Sequence, residues 1–115
     1  MKKTKMLKKN YEFKKVLSKG KYYSGKNIEA FIQDNKKNYN LLGLAISVKT
    51  AKAVRRNNIK RLIRENYKLL ETNLQEGKSI VFLWKKGVDT QNAQYDLIKD
   101  DMEKIFDKAN MVKSK

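Results

Sequence analysis

The sequence predicts an α+β fold, a two-layer sandwich in which a small sheet packs against helices in the order αββαβα. Three observations predict it. Apolar and polar residues alternate over 28–33, as they do in a half-buried strand. A polar turn over 34–40 separates this segment from a second apolar run, which suits an antiparallel pair. Apolar residues then recur at helical spacing over 53–70.

Each element has its own local pattern. Asn10 can cap a short helix that stops at Gly20, and Thr50 is a candidate N-cap for the long helix. The last helix is predicted to begin at Thr90 or Asn92. Its apolar stripe consists of Tyr95, Ile98, Met102, Ile105 and Ala109. The other predicted bounds are 10–20 for the first helix, 22–26 for a loop, 28–33, 41–48 and 79–84 for the strands, and 53–70 for the long helix.

The length of the chain limits how many domains it can form, and its charge indicates what kind of partner it binds. We expect one domain over 1–115, with a basic N-terminal arm over 1–9 and a frayed tail over 112–115. Lys and Arg number 28 against 12 Asp and Glu, which gives a net charge of +16. Such a charge attracts polyanions, nucleic acid first and an anionic membrane surface second. No apolar run suits a membrane span or a signal peptide, so we expect a cytoplasmic protein.

The residue types that are missing exclude several kinds of chemistry. The sequence contains no cysteine and no histidine. Disulfides, Ser-His or Cys-His nucleophile pairs and the usual zinc sites are therefore impossible. A nuclease that uses histidine for acid–base catalysis is excluded for the same reason.

The long helix has two chemically different faces. Its apolar arc consists of Ile59, Leu62, Ile63, Leu69 and Leu70. The opposite face carries Asn57, Lys60, Arg61, Arg64 and Lys68, with Arg55 and Arg56 nearby. Glu65 is the only acid between Ala51 and Leu70, so we expect these cations to lack i,i+4 partners. A solvated surface is the ordinary interpretation of a charged helix face, but such a concentration of arginine favours binding to phosphates.

The segment from Ser47 to Glu65 resembles the signature of the bacterial ribonuclease P protein family. The resemblance extends over nearly the whole chain, including Gly43 and the opening 7–20. Matching positions in the segment are Ser47, Lys49, Ala53, Val54, Arg56, Asn57, Lys60, Arg61, Arg64 and Glu65. Asn58 departs from the pattern, because it stands where the family has the second arginine of Arg-Asn-Arg, and Arg55 is a candidate substitute cation. Ala51 and Lys52 replace a Gly-Asn pair at the turn into the helix.

The resemblance implies an RNA-based enzyme. Members of the family bind a large catalytic RNA, which performs the hydrolysis with Mg²⁺ held mainly by RNA and substrate. The chain itself would supply no catalytic residue and no metal ligand. Its partners would be that RNA and precursor tRNA, with no membrane and no small-molecule substrate. The residues that would contact the catalytic RNA are Lys49, Arg55, Arg56, Asn57, Lys60, Arg61, Arg64 and Lys68.

The resemblance also implies a cleft for the 5′ leader of precursor tRNA, between the sheet and the first helix. Phe13, Leu17, Phe31 and Ser47 are the positions assigned to it, and Leu17 replaces an aromatic common in the family. Independently, Phe31 lies on the otherwise polar face of its strand, and the small residues Gly43, Ala45 and Ser47 would form a low floor. The alternative is that Phe13 and Phe31 are ordinary core residues. The implied fold, that of the second domain of the fifth protein of the small ribosomal subunit, contains an unusual left-handed β-α-β crossover through the basic helix.

Several other residues have more than one interpretation. Tyr22 and Tyr23 could stack on RNA, but packing is favoured, and Trp84 is expected at the edge of the core. The acids Asp96, Asp100, Glu103 and Asp107 recur on one side of the last helix. We interpret them as a solvated face, since metal ligands normally converge from more than one segment.

Three other classes of protein remain as alternatives. A ribosomal or other structural RNA-binding protein would share the charge without needing a cleft for a single strand. A protein-only nuclease would have to use carboxylates and magnesium. A DNA-binding helix-turn-helix is disfavoured, because a strand and not a helix precedes the basic helix.

Overall fold

The computed structural model of the chain describes residues 3–113 and has a five-stranded sheet with three α-helices. The sheet order is β1-β4-β5-β3-β2. β4 pairs in parallel with both β1 and β5, and the remaining pairs are antiparallel. The elements are β1 (Thr4–Met6), α1 (Asn10–Lys19), β2 (Lys21–Ser24), β3 (Ile28–Asp34), β4 (Asn40–Leu44), α2 (Ala53–Leu70), β5 (Lys78–Trp84) and α3 (Tyr95–Lys108), with short 3₁₀ turns at Glu71–Asn73 and Thr90–Asn92.

Helices cover both faces of the sheet, unequally. On one face, α2 and α3 bury a large core with the inward residues of β3, β4 and β5. On the other face, α1 rests on a smaller cluster around Leu7, Val16 and Val81. This division follows from the strand period of two, because Ile28, Ala30 and Ile32 face the large core while Phe31 faces α1.

The connection from β4 through α2 to β5 is a left-handed crossover, as the resemblance implies. Ile80 and Phe82 face α2, so their side chains point toward a viewer who looks at the sheet from the side of α2. With both strands running upward, the Phe82 carbonyl then points to the right, where it accepts the Ala45 N–H. β4 therefore lies to the right of β5, opposite to the usual right-handed arrangement.

A buried polar group fixes the register of α2 on the sheet. The Tyr67 hydroxyl lies 2.7 Å from Thr4 Oγ1 and accepts from Asn40 Nδ2 at 3.3 Å. Burial raises the pKa of the Tyr67 phenol. These contacts tie the helix to β1 and β4, so they help to set which face of α2 points outward.

Two strands were missed in the sequence, and the expected N-terminal arm and C-terminal tail extend over residues 1–2 and 114–115, which lie outside the described residues. The expected loop at 22–26 is mostly β2, and the expected arm over 1–9 contributes β1, paired with β4. At the other end, Val112 forms a β-bridge with Leu74, and the Lys113 N–H donates to the Asn73 carbonyl. Both missed strands are at sheet edges and are only three and four residues long, too short for a visible period.

Helix ends and one core assignment also differ from the expectations. The N-cap of α1 is Lys9 and that of α2 is Lys52, in place of Asn10 and Thr50. β4 ends at Leu44, before the expected 48, and Leu69 is exposed where the helical wheel placed it on the buried arc. The long helix itself has the predicted bounds.

Asp101 on α3 is a buried carboxylate that sequence analysis did not single out. It accepts backbone N–H groups from Lys26, Asn27 and Ile28 at 3.0, 2.7 and 3.1 Å. The turn between β2 and β3 is thereby held on α3. A methyl group on Gly25 would lie 2.6 Å from the Asp101 carboxyl carbon, so only glycine fits there.

We predict that Asp101→Ala lowers the free energy of unfolding by about 3 kcal/mol or more, since it leaves three N–H donors without an acceptor, two of them buried and one partly buried. Urea denaturation measures this change. Asp100→Ala, one residue earlier and exposed, is the matched control and is expected to unfold within about 0.5 kcal/mol of the wild type. Equal stability of the two variants would show that the carboxylate does not hold the turn.

Candidate RNA-binding site

The outer side of α2 forms a continuous cationic face. Ile59, Ile63 and Tyr67 of α2 are fully buried, and Leu62 and Asn66 are buried beside them, so the opposite side of the helix points away from the sheet. The cationic face consists of Asn57, Lys60, Arg61, Arg64 and Lys68 on that side, with Arg55 and Arg56 beside it in the first turn of the helix, and all seven residues are exposed or half-buried. Every one of these seven positions was predicted from the sequence to bind RNA, and the structure brings them together along one helix.

The cations of this face differ in how they are held. The Arg61 guanidinium donates to Asn58 Oδ1 at 2.7 Å and to Glu65 Oε1 at 2.9 Å. Arg56 donates to the Ala51 carbonyl at 2.7 Å. Both guanidiniums are therefore oriented before any ligand binds, which lowers the entropy cost of binding.

The expectation that no cation of this helix has an i,i+4 partner is wrong for Arg61, which pairs with Glu65. Both side chains of that pair are about half exposed, so the pair contributes little to stability. Within residues 3–113, Arg55, Arg56, Lys60, Arg64 and Lys68 make no salt bridge. The excess positive charge of the face therefore stands, as predicted.

Asn58 has a role that the sequence did not reveal. It occupies the position where the resemblance called for a third motif arginine, and it orients Arg61 through its side-chain oxygen. Arg55, the expected substitute cation, lies 3.5 Å from Thr90 Oγ1, close to the β5–α3 connection. Arg55 as a substitute for the arginine that is missing at position 58 stays a prediction.

Ser47 and Lys49 lie in the connection between β4 and α2. Ser47 Oγ accepts the Lys49 N–H at 3.1 Å, and the Ser47 carbonyl accepts the Thr50 N–H. Both residues line a groove of about 720 Å³ that also includes Lys85 and Lys86. These two lysines were not predicted, because a pair of lysines in a loop is common in a chain with this composition.

The predicted cleft lies on the α1 side of the sheet. Phe13, Leu17 and Phe31 are half-buried and belong to the small cluster around Val16 and Val81. The structure thus brings three of the four predicted cleft residues together, whereas Ser47 lies further out and exposed, beyond the end of β4.

The floor of the cleft differs from the prediction. A methyl group on Gly43 would lie 2.5 Å from Cε1 of Phe13, so the space above Gly43 is filled by that ring. Ala45, which was predicted for the floor, and Leu83, which was not, are both half-buried and packed on the cluster. Leu83 was missed, since the apolar run of β5 gives no alternation by which to assign its faces.

Tyr22 also borders the cleft, contrary to the packing that we expected. Its ring centroid lies 5.3 Å from that of Phe31, and 51% of the residue is exposed. The phenol donates to Glu29, and this hydrogen bond raises the pKa of Tyr22. As expected, Tyr23 packs on the large core and Trp84 lies at the edge of that core. The Trp84 indole N–H donates to the Val88 carbonyl.

The acidic side of α3 offers no assembled ligand set. Asp96, Asp100, Glu103 and Asp107 are all exposed. Across the described part of the chain, no three acidic side chains converge on a position suited to a metal ion. None of the helices in residues 3–113 combines the length and hydropathy needed to span a membrane.

Known proteins are similar to this chain over almost its full length. The sequence model of the family described as Ribonuclease P matches residues 1–110. A protein of Caldanaerobacter subterraneus named ribonuclease P protein component is 34% identical, covering 95% of this chain and 92% of its own. One from Clostridium acetobutylicum with the same name is 33% identical, covering 92% and 89%.

Solved structures agree with the sequence comparisons. The RNase P protein of Staphylococcus aureus superposes with a TM-score of 0.82 at 27% identity, covering 94% of this chain and 97% of that one. The protein from Thermotoga maritima, with a TM-score of 0.76 at 22% identity, shows the same fold over 86% of this chain and 92% of that one. Given the match over 1–110 and the relatives above 30% identity, this chain belongs to the ribonuclease P protein family.

Proposed function

We propose that this chain binds the catalytic RNA of ribonuclease P through the cationic face of α2 and the 5′ leader of precursor tRNA in the cleft beside α1. The complex removes the leader endonucleolytically and so forms the mature 5′ end of tRNA. The observation that carries the proposal is the row of cations on α2, of which only Arg61 has a carboxylate partner within residues 3–113. The names of the relatives, all ribonuclease P protein components, support it.

In this proposal the two RNA partners bind different faces of the protein. The cationic face is separated from the cleft by the helical layer and the sheet. Guanidinium groups suit the closely spaced phosphates of folded RNA, since each can donate two parallel hydrogen bonds. The aromatic rings of Phe13, Phe31 and Tyr22 suit unpaired bases, which stack on them without sequence preference.

The chemistry of hydrolysis is assigned to the RNA. The chain has neither histidine nor cysteine, and within 3–113 no three carboxylates meet that could hold a metal ion. The described residues therefore do not fit a magnesium site of the protein's own. We assign Mg²⁺ mainly to the RNA and the substrate, and the protein contributes affinity and position.

The proposal predicts that Arg61→Ala and Arg64→Ala each weaken binding to the host's catalytic RNA. Each change removes one phosphate contact, so the slope of log K against log salt should fall by about one. Binding measured at several salt concentrations gives the slope. Lys104→Ala, on the exposed side of α3, is the control that should leave it near the wild-type value. An unchanged slope in both arginine variants would remove the cationic face from the interface.

The cleft is tested with substrates that carry or lack a leader. Phe31→Ala should leave binding of the catalytic RNA intact but reduce the preference for precursor tRNA with a long leader by about tenfold, as expected for one lost stacking contact. Leu97→Ala, an exposed apolar residue on α3, is the matched control. Equal loss with leaderless tRNA would show that Phe31 is only a packing residue.

One reconstitution separates the proposal from a protein-only nuclease and from a structural RNA-binding protein. Host catalytic RNA, with and without the protein, is incubated at low Mg²⁺ with precursor tRNA, and the released leader is measured. We expect cleavage that requires the RNA and is enhanced by the protein. Cleavage by the protein alone, or no effect of the protein on the RNA, would contradict the proposed function.

A further inference from the structure

A second groove lies on the α1 side of the sheet, between α1 and the turn that joins β3 to β4. It has a volume of about 450 Å³, and its floor includes Leu41 and Ser79. Its walls carry Tyr11 and Lys15 from α1 and Lys36 and Lys37 from the turn. We call it the tyrosine–lysine groove, and none of these wall residues belongs to the cleft described above.

Aromatic rings at this groove are held under lysine side chains. Lys9 Nζ lies 5.8 Å from the centre of the Tyr11 ring. Lys5 Nζ and Lys37 Nζ lie 4.6 and 5.7 Å from the centre of the Tyr39 ring. Tyr39 stands beside the groove, since Lys37 of the groove wall lies over its ring. Aromatic faces beside lysines are the usual arrangement at which proteins bind single-stranded nucleic acid.

Tyr11 is exposed to an extent that packing does not explain. It leaves 66% of its surface accessible, the largest fraction among the exposed aromatic residues of the described chain. The Tyr11 hydroxyl also makes no hydrogen bond within residues 3–113. A large ring in such a position is available to stack on a ligand.

The turn that forms the other wall is held by the side chain of Asn35. Asn35 Oδ1 accepts the Lys37 N–H at 2.8 Å, and Asn35 Nδ2 donates to the Tyr39 carbonyl and to Ser79 Oγ, each at 3.3 Å. Lys36 has a positive φ of 59°. The backbone that carries the two lysines is therefore held in place, which reduces the conformational entropy that this turn loses when a ligand binds.

The two acids of the groove are both engaged within the protein. Glu12 accepts the Lys9 backbone N–H at 3.2 Å, and Asp34 pairs with Lys78. By contrast, Lys15, Lys36 and Lys37 make no salt bridge within residues 3–113. The groove therefore presents positive charge and an exposed ring together, which fits a nucleotide better than it fits an acidic peptide.

We propose that the tyrosine–lysine groove binds unpaired RNA nucleotides, with a base stacked on Tyr11 and phosphates neutralised by Lys36 and Lys37. The inference rests on the proposed function only in taking RNA as the partner. It adds a third contact surface, on the opposite side of α1 from the leader cleft. The nucleotides come from the catalytic RNA or from precursor tRNA, and the test separates these two sources.

The test compares Tyr11→Ala, Tyr11→Phe and the double variant Lys36→Gln/Lys37→Gln. Two affinities are measured at several salt concentrations: that of the protein for the host's catalytic RNA, and that of the assembled holoenzyme for precursor tRNA. Tyr11→Phe keeps the ring and serves as the matched control for stacking, while Lys104→Gln on α3 is the control for charge. Thermal unfolding of each variant verifies that the fold is intact.

In one of the two assays, we expect Tyr11→Ala to weaken binding by about tenfold, with Tyr11→Phe close to the wild type. In the same assay, the double lysine variant should lower the salt slope by about two. The assay that responds identifies the source of the nucleotides. Unchanged affinity and slope in both assays would overturn the inference. The proposed function would survive that result, because it depends on the arginines of α2 and on Phe31.

Discussion

The packing of one side of α2 against the sheet is the constraint on which the rest of this structure depends. Ile59, Ile63 and Tyr67 are completely buried, and the Tyr67 hydroxyl is held by β1 and β4. Rotating the helix to hide its cations would bury several charges without partners, at a cost of several kcal/mol each. The apolar side is therefore fixed inward, and the arginines and lysines must face solvent or a ligand.

The other face of the sheet is organised by a single helix. α1 crosses it with Val16 buried and with Phe13 seated over Gly43, so it divides the surface into two grooves. The groove on one side is bordered by Phe31 and Tyr22, and the groove on the other by Tyr11 and the β3–β4 turn. In the proposed function, the protein thus lies between RNA partners that approach from both sides of the sheet.

The fold was largely predictable because its long elements have clear periods. The bounds of α2 and the apolar stripe of α3 followed from spacing alone, while β1 and β2 are short edge strands whose pairing depends on the rest of the sheet. The site was predictable in its composition but not in its contacts. Nothing in the sequence shows that Asn58 orients Arg61, that Phe13 fills the space above Gly43, or that Asp101 holds a turn 75 residues away.

The central claim, that the outer side of α2 docks on the catalytic RNA, can be tested on the protein without any substitution. Lysine acetylation, quantified by mass spectrometry with and without the host's catalytic RNA, reports which side chains the RNA covers. The account predicts that Lys60 and Lys68 on α2 become protected, whereas Lys104 on α3 keeps its reactivity. Equal reactivity of Lys60 and Lys68 in the free protein and in the complex would contradict it.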